Sequence, residues 1–172
     1  TLWLIDNERH ELWTRFADID GVMQERRIPV NAGFAGQVVV TGKLLNIPFD
    51  LYDHPNSQTS KQMDRKTGYR TCSMLCMPVF NHNGELMAVT QLINKKRRGH
   101  TSNHDDPVPW PDVPDCWKAS FDATDIEFME AFNTQVGIAI QNAWMFDKVK
   151  HQKQQQIDAL QSALLTVFKN QP

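Results

Sequence analysis

Three cysteines in 172 residues are too few, and odd in number, for a disulfide framework, and they point to a reducing compartment. No apolar run approaches the roughly 20 residues that a membrane-spanning helix needs, and no signal peptide is visible. The expectation is a cytoplasmic protein with no membrane partner. Neither sign of charge dominates: 18 basic residues stand against 20 acidic ones, a formal charge of −2. That balance supplies no bulk field to gather nucleic acid, so an anion must be held by local geometry. Catalytic signatures are missing as well. There is no Ser/His/Asp order, no glycine-rich phosphate loop and no paired-metal motif, and the chain is expected not to be an enzyme.

What is there suits one domain with a modest appendage: 19.8 kDa, 41% hydrophobic and 22% charged residues. The chain opens on Thr1-Leu2-Trp3-Leu4-Ile5, already strand-like, and reads as a fragment of a longer protein. Leu2, Leu4 and the stretch Glu11–Ala17 flank the polar turn Asp6-Asn7-Glu8-Arg9-His10, which predicts a hairpin. Gln24–Val30 reads as a third strand. Asn31-Ala32-Gly33 before Phe34–Thr41, with Gly42 behind it, frames a helix of two turns. Leu45–Ile47 reads as a short strand, and Ser60–Arg65 as a short helix inside the polar stretch 50–69. Ser73–Phe80 and Glu85–Ile93 are strands joined at Asn83-Gly84, a tight-turn pair. Residues 97–120 carry Pro107, Pro109, Pro111 and Pro114 and predict a long irregular loop.

From Asp122 to Pro172 the chain holds one glycine, Gly137, and no internal proline. Met129, Phe132, Val136, Ala139, Ala143, Phe146, Lys150, Lys153, Ile157, Leu160, Leu164 and Val167 follow one another at alternating steps of three and four. Ten of these twelve are apolar, a heptad-like seam. Such a helix runs roughly 70 Å at 1.5 Å per residue, more than a small domain can cover, so its distal half is expected to project. The boundary is drawn at 149, with 150–172 as a helical linker or coiled-coil extension that pairs two copies.

Four motifs, in order, resemble GAF domains of the cyclic-nucleotide phosphodiesterase and cyanobacterial-type adenylate cyclase group. They are Arg27-Ile28-Pro29-Val30-Asn31-Ala32-Gly33-Phe34-Ala35-Gly36-Gln37-Val38; Thr41-Gly42-Lys43-Leu44-Leu45-Asn46-Ile47-Pro48, followed by Asp53-His54-Pro55; Thr67-Gly68-Tyr69-Arg70-Thr71-Cys72 running into Ser73–Val79; and Asn94-Lys95 with Phe121 and Asp125. The resemblance covers about residues 1–150. It implies an α+β fold: a GAF-like central antiparallel sheet with helices on its faces and a long C-terminal helix, here without the family's first helix. It departs from the family in having Ile126 where a glutamate is usual, and in its long 97–120 loop.

Physics and resemblance meet at Phe34 and Ala35. A helix start offers unpaired N–H groups and a dipole that favour an anion, and Ala32, Gly33 and Gly36 let a phosphate come close to the backbone. The resemblance implies a cyclic nucleotide with its phosphate on the amides of Phe34 and Ala35. It further implies the base near Asp18, Thr71 and Gln91, with Asp64 and Thr67 supplied by a lid and Thr1 at the pocket floor. Each of these residues also has a plainer reading, as a core anchor, a solvated acid or a strand residue. Ala17 stands where binders of cyclic GMP in the family usually offer an aromatic. Gln91 replaces an acid suited to guanine's N–H edge, and an amide both donates and accepts, which leans the reading to cyclic AMP over cyclic GMP. Lys95 and Asp125 are, by resemblance, a structural ion pair tying the last strand to the terminal helix.

No cofactor beyond that regulatory ligand is expected. His100, His104, Asp105, Asp106, Asp112 and Cys116 show no recognised metal spacing. Cys72, Cys76 and Cys116 are followed by Ser73, Met77 and Trp117, not the histidine usual at bilin attachment sites. The expected function is a regulatory domain that senses a cyclic nucleotide and signals through the terminal helix to an output domain, the parent protein being a phosphodiesterase or cyclase. The alternatives are a ligand-free dimerisation scaffold, or a sensor of another small molecule in a histidine kinase or diguanylate cyclase.

Overall fold

A computed structural model of the chain describes residues 1–17, 21–99, 108 and 110–169, with no account of the side chains of Ala17 and 166–169. The strands are β1 (Leu2–Asp6), β2 (Glu11–Ala17), β3 (Met23–Pro29), β4 (Leu45–Ile47), β5 (Met74–Phe80) and β6 (Leu86–Ile93). The helices are α1 (Gly33–Thr41), α2 (Gln58–Thr67) and α3 (Ala123–Lys169), with single 3₁₀ turns at Leu51–Asp53 and Asp115–Trp117. The strands form one sheet in the order β3-β2-β1-β6-β5-β4, antiparallel throughout. This is the α+β antiparallel architecture expected from the sequence. By contact the chain divides into two compact units, Thr1–Gly137 and Ile138–Pro172. No helix among the described residues is long and apolar enough to cross a membrane.

Strand alternation sorts the core into two layers. Trp3, Ile5, Leu12, Met74, Cys76 and Val89 face Phe34, Ala35 and Val38 of α1. Leu75 and Met77, one residue out of phase, pack with Phe121 and Met129 at the start of α3. On that second side Asn133 donates to the Thr90 hydroxyl at 3.0 Å and to the Pro78 carbonyl at 3.3 Å, a buried polar pin between helix and sheet. Close approach there requires Gly137, because a Cβ on it would lie 2.2 Å from the Phe80 carbonyl oxygen.

A third apolar cluster, of Cys72, Val108 and Trp117 with Tyr69 and Phe49, anchors parts of the long loop. Val108 accepts from the Arg70 N–H and Trp110 donates to the Gly68 carbonyl, at 2.9 and 3.0 Å, which ties the loop to the chain just beyond α2.

Helix α3 starts with reciprocal bonds between Asp122 and Asp125. Asp122 Oδ1 accepts from the Asp125 N–H at 3.1 Å and Asp125 Oδ2 accepts from the Asp122 N–H at 2.9 Å, the geometry of a capping box. Lys95 bonds to the other oxygen of Asp125. Among the residues of the seam, Phe132, Phe146, Ile157, Leu160 and Leu164 are exposed.

Candidate functional site

Between the inner face of the sheet and helices α1 and α2 lies a cavity of about 440 Å³, within the roughly 300–1,000 Å³ typical of small-molecule sites. Its floor is built by alternate residues of neighbouring strands: Trp3, Thr14, Phe16, Arg26, Met74 and Gln91. Gly33, Phe34 and Ala35 at the start of α1 form one wall, and Thr59, Ser60, Met63 and Asp64 of α2 form another.

The α1 wall carries unpaired donors. The N-cap residue Ala32 makes no side-chain cap bond. The first amide of this stretch to turn inward is Gly36, whose N–H donates to the Ala32 carbonyl at 3.0 Å. Among the described residues nothing accepts from the N–H groups of Phe34 and Ala35, so their donors and the positive end of the helix dipole remain available to an anion. Gly36 makes the turn sterically possible: a Cβ there would lie 2.2 Å from the Asn31 carbonyl carbon.

The α2 wall is held by Asp64, which is 3% exposed. Its Oδ1 accepts from the Thr71 hydroxyl at 2.8 Å; Oδ2 accepts from the Thr71 N–H at 2.7 Å and the Tyr52 hydroxyl at 2.9 Å. Burial, together with the hydrogen bond and charge of Asp64, pushes the Tyr52 phenol above its ordinary value. Arg70 donates to both oxygens of Asp50 at 2.6 Å and stacks on the Tyr52 ring. The same short segment is gripped from the residue just beyond β6. Asn94, in the left-handed region at φ 60°, accepts from the Cys72 N–H at 2.6 Å and donates to the Arg70 carbonyl at 2.8 Å.

On the floor, the Trp3 indole N–H donates to Gln91 Oε1 at 3.0 Å, and Gln91 Nε2 lies 3.1 Å from the Met74 sulfur. The Arg26 guanidinium sits 5.4 Å from the centre of the Phe16 ring.

Of the residues named from sequence, Thr1, Phe34, Ala35, Asp64, Thr71 and Gln91 come together around this cavity. Thr67 is not in its lining: its hydroxyl donates to the carbonyls of Met63 and Asp64 and closes the last turn of α2 instead. Asp18 lies outside the described residues, as do His100, His104, Asp105 and Asp106. Sequence reasoning passed over Trp3, Phe16 and Arg26. The aromatic looked for at Ala17 is present one residue earlier, as Phe16, and a cation, Arg26, stands on the pocket floor. The signal was there in β2, where Leu12, Thr14 and Phe16 keep the period of two.

Comparison with known proteins bears on this arrangement. The GAF domain pattern matches residues 2–140. The chain belongs to the GAF family. It is 34% identical over 126 residues to a cGMP-specific 3′,5′-cyclic phosphodiesterase of Drosophila erecta, a match spanning 72% of this chain and 10% of that protein. The Drosophila melanogaster enzyme of the same description is 33% identical over 124 residues, covering 72% of this chain and 9% of its own length. The chain thus spans about a tenth of these relatives, and the match includes only their GAF region. Among solved structures, the GAF domain of an Acinetobacter phosphoenolpyruvate-protein phosphotransferase superposes with a TM-score of 0.54 at 15% identity, over 83% of this chain and 69% of that one. That likeness concerns the fold. A GAF domain is a regulatory unit, and no catalytic domain falls within the match.

Proposed function

We propose that this GAF domain binds a 3′,5′-cyclic purine nucleotide as a regulatory ligand. The observation that carries the reading is the pair of unpaired N–H groups on Phe34 and Ala35, in the wall of a cavity large enough for a nucleotide. The cyclic phosphate lies on those amides, Arg26 adds a positive charge nearby, and the base lies toward Thr71 and Gln91 with Phe16 as an aromatic surface. The relatives' description as cGMP-specific phosphodiesterases supports a cyclic nucleotide as the ligand class.

Ligand binding favours a state in which α2 is closed over the cavity, and α3 passes the change to an output domain in a phosphodiesterase or cyclase. Transmission requires the ligand to bind the two states with different free energy. The exposed apolar seam of α3, including Phe146, Leu160 and Leu164, pairs two copies of the chain.

Thermal or denaturant unfolding with cyclic GMP and with cyclic AMP tests the reading. A ligand at 1,000 times its dissociation constant adds about 4 kcal/mol to stability. No shift with either nucleotide rejects it and leaves a dimerisation scaffold, the reading that the seam alone supports.

A further inference from the structure

The cavity wall made by α2 ends at Gly68, and part of the long loop holds the chain at that point. Val108 accepts from the Arg70 N–H at 2.9 Å and the Trp110 N–H donates to the Gly68 carbonyl at 3.0 Å, an antiparallel pairing across the residues that leave the helix. Trp117, 7% exposed, packs on Cys72 and Val108. The Cys116 carbonyl accepts from the Arg97 N–H at 2.8 Å, so this part of the loop is fastened at both ends. Beside the pairing, the Trp110 indole N–H donates to the Tyr52 hydroxyl. An indole N–H only donates, and a carboxylate only accepts. The one proton of the Tyr52 hydroxyl is therefore committed to Asp64, 2.9 Å away, and its oxygen meets Trp110 with a lone pair. Bonds aligned head to tail in this way strengthen one another. Arg70 supplies a second route, since its amide is on Val108 and its guanidinium stacks on the Tyr52 ring. Asp64 lines the cavity, whereas Trp110 is 39% exposed at the surface.

We infer that Val108 and residues 110–117 form a strap that holds the α2 wall in its ligand-binding position, with Trp110 a positioning residue acting on Asp64 through Tyr52. The ligand affinity of the cavity is thereby set from the protein surface, by a group that touches no ligand. A wall held in place beforehand spares the ligand the cost of ordering it. Loosening the strap therefore weakens binding without removing any contact inside the cavity. Which ligand feels this rests on the cyclic-nucleotide reading above; the bracing of the wall does not.

The test is a double-mutant cycle of Trp110→Phe, Tyr52→Phe and the two together. It is read by calorimetric titration with cyclic GMP and cyclic AMP, and by hydrogen exchange of the Thr71 amide, whose N–H is held by Asp64. Trp110→Phe keeps an aromatic ring and deletes one donor. A fall in affinity of about three- to tenfold is expected for whichever nucleotide binds, matched by faster Thr71 exchange. In the Tyr52→Phe background the same change is expected to have little further effect, because the link it acts through is gone. A merely structural role for Trp110 would add its effect to that of Tyr52→Phe and speed exchange throughout the sheet. If Trp110→Phe does not fold, benzothienylalanine at position 110 takes its place, with sulfur instead of the N–H and the double ring kept. Additive effects in the cycle, native affinity in a folded Trp110 variant, or Thr71 exchange at the native rate overturns the strap while nucleotide binding stands. If neither nucleotide binds the native chain, the cyclic-nucleotide reading falls, and Thr71 exchange across the cycle decides the strap by itself.

Discussion

Asp64 holds Thr71 twice, accepting its backbone N–H at 2.7 Å and its hydroxyl at 2.8 Å. Through this pair helix α2, one wall of the cavity, is fastened to the segment that leads into β5. Replacing Asp64 by alanine strands the Thr71 N–H and the Tyr52 hydroxyl without an acceptor. A loss of about 1–3 kcal/mol is expected from such orphaned groups, measured by urea unfolding. Ligand affinity should fall with it, because the wall is no longer set. Thr71→Val, which keeps the backbone bond and deletes the hydroxyl, is expected to cost less; an equal loss would show that the hydroxyl alone carries the fastening.

The Lys95–Asp125 pair predicts a response to acid. Burial pushes the Asp125 carboxyl up, but the bond from Lys95 and the Asp122 N–H outweigh it and hold the group below its ordinary value of 3.8. The folded form therefore binds this proton less readily than the unfolded form. Its stabilising contribution is present above about pH 4 and is lost as the pH drops through the folded-state value. Lys95→Met should flatten this acid limb in unfolding curves taken between about pH 2 and 6, and lower stability near neutrality by about 1–3 kcal/mol. A limb of unchanged slope in Lys95→Met would assign the acid sensitivity elsewhere.

Gly36→Ala probes the α1 start. The new methyl would meet the Asn31 carbonyl carbon at 2.2 Å, so the turn must open. Overpacking of this kind costs about 1–3 kcal/mol. Nucleotide binding should suffer more than stability does, since the displaced residues flank the amides of Phe34 and Ala35. Binding at native strength in a stable Gly36→Ala protein would remove the phosphate from this end of the helix.

The thiols should react unequally. Burial pushes Cys72 up to about 11 and Cys76 up to about 12, which leaves almost no thiolate at pH 8. Cys116 is partly exposed. Titration of the folded protein with a disulfide reagent at pH 8 is expected to find Cys116 alone, and all three cysteines after denaturation.

Removing the chain beyond Val149 takes away Ile157, Leu160 and Leu164 and is expected to convert a dimer to a monomer, as read by sedimentation or light scattering. A dimer that survives the cut rules out the seam as its interface.

The parts of the fold governed by local rules were legible in the sequence. Alternation in Leu2–Ile5, the turn at Asn81–Gly84 and the glycine behind Thr41 each dictate their own geometry through nearest neighbours. Helix α3 announced itself by the steps of its apolar residues. What the sequence hid depends on register across strands. Trp3 is opposite Val89, so the diagonal neighbour on the same face is Gln91; no single-strand pattern could reveal that their side chains meet. Thr67 lies in α2 but outside the cavity lining for a related reason. A threonine in the last turn of a helix bonds back to the carbonyls before it, and its spacing from Asp64 does not say which way it turns. Arg70 stood in the sequence only as a motif member; the fold makes it 4% exposed and ties it to Asp50, 20 residues away.

Gln91 and its chain neighbours, Thr90 and Leu92, stand on opposite sides of one strand. Thr90 meets Asn133 of α3, and Leu92 packs with the cluster that seats that helix. The two residues flanking Gln91 therefore touch α3 through their side chains while their backbones stay in the ladders with β1 and β5. Under the proposed function the sheet is a diaphragm a single strand thick, with no intermediate helix or loop between the cavity and the start of α3.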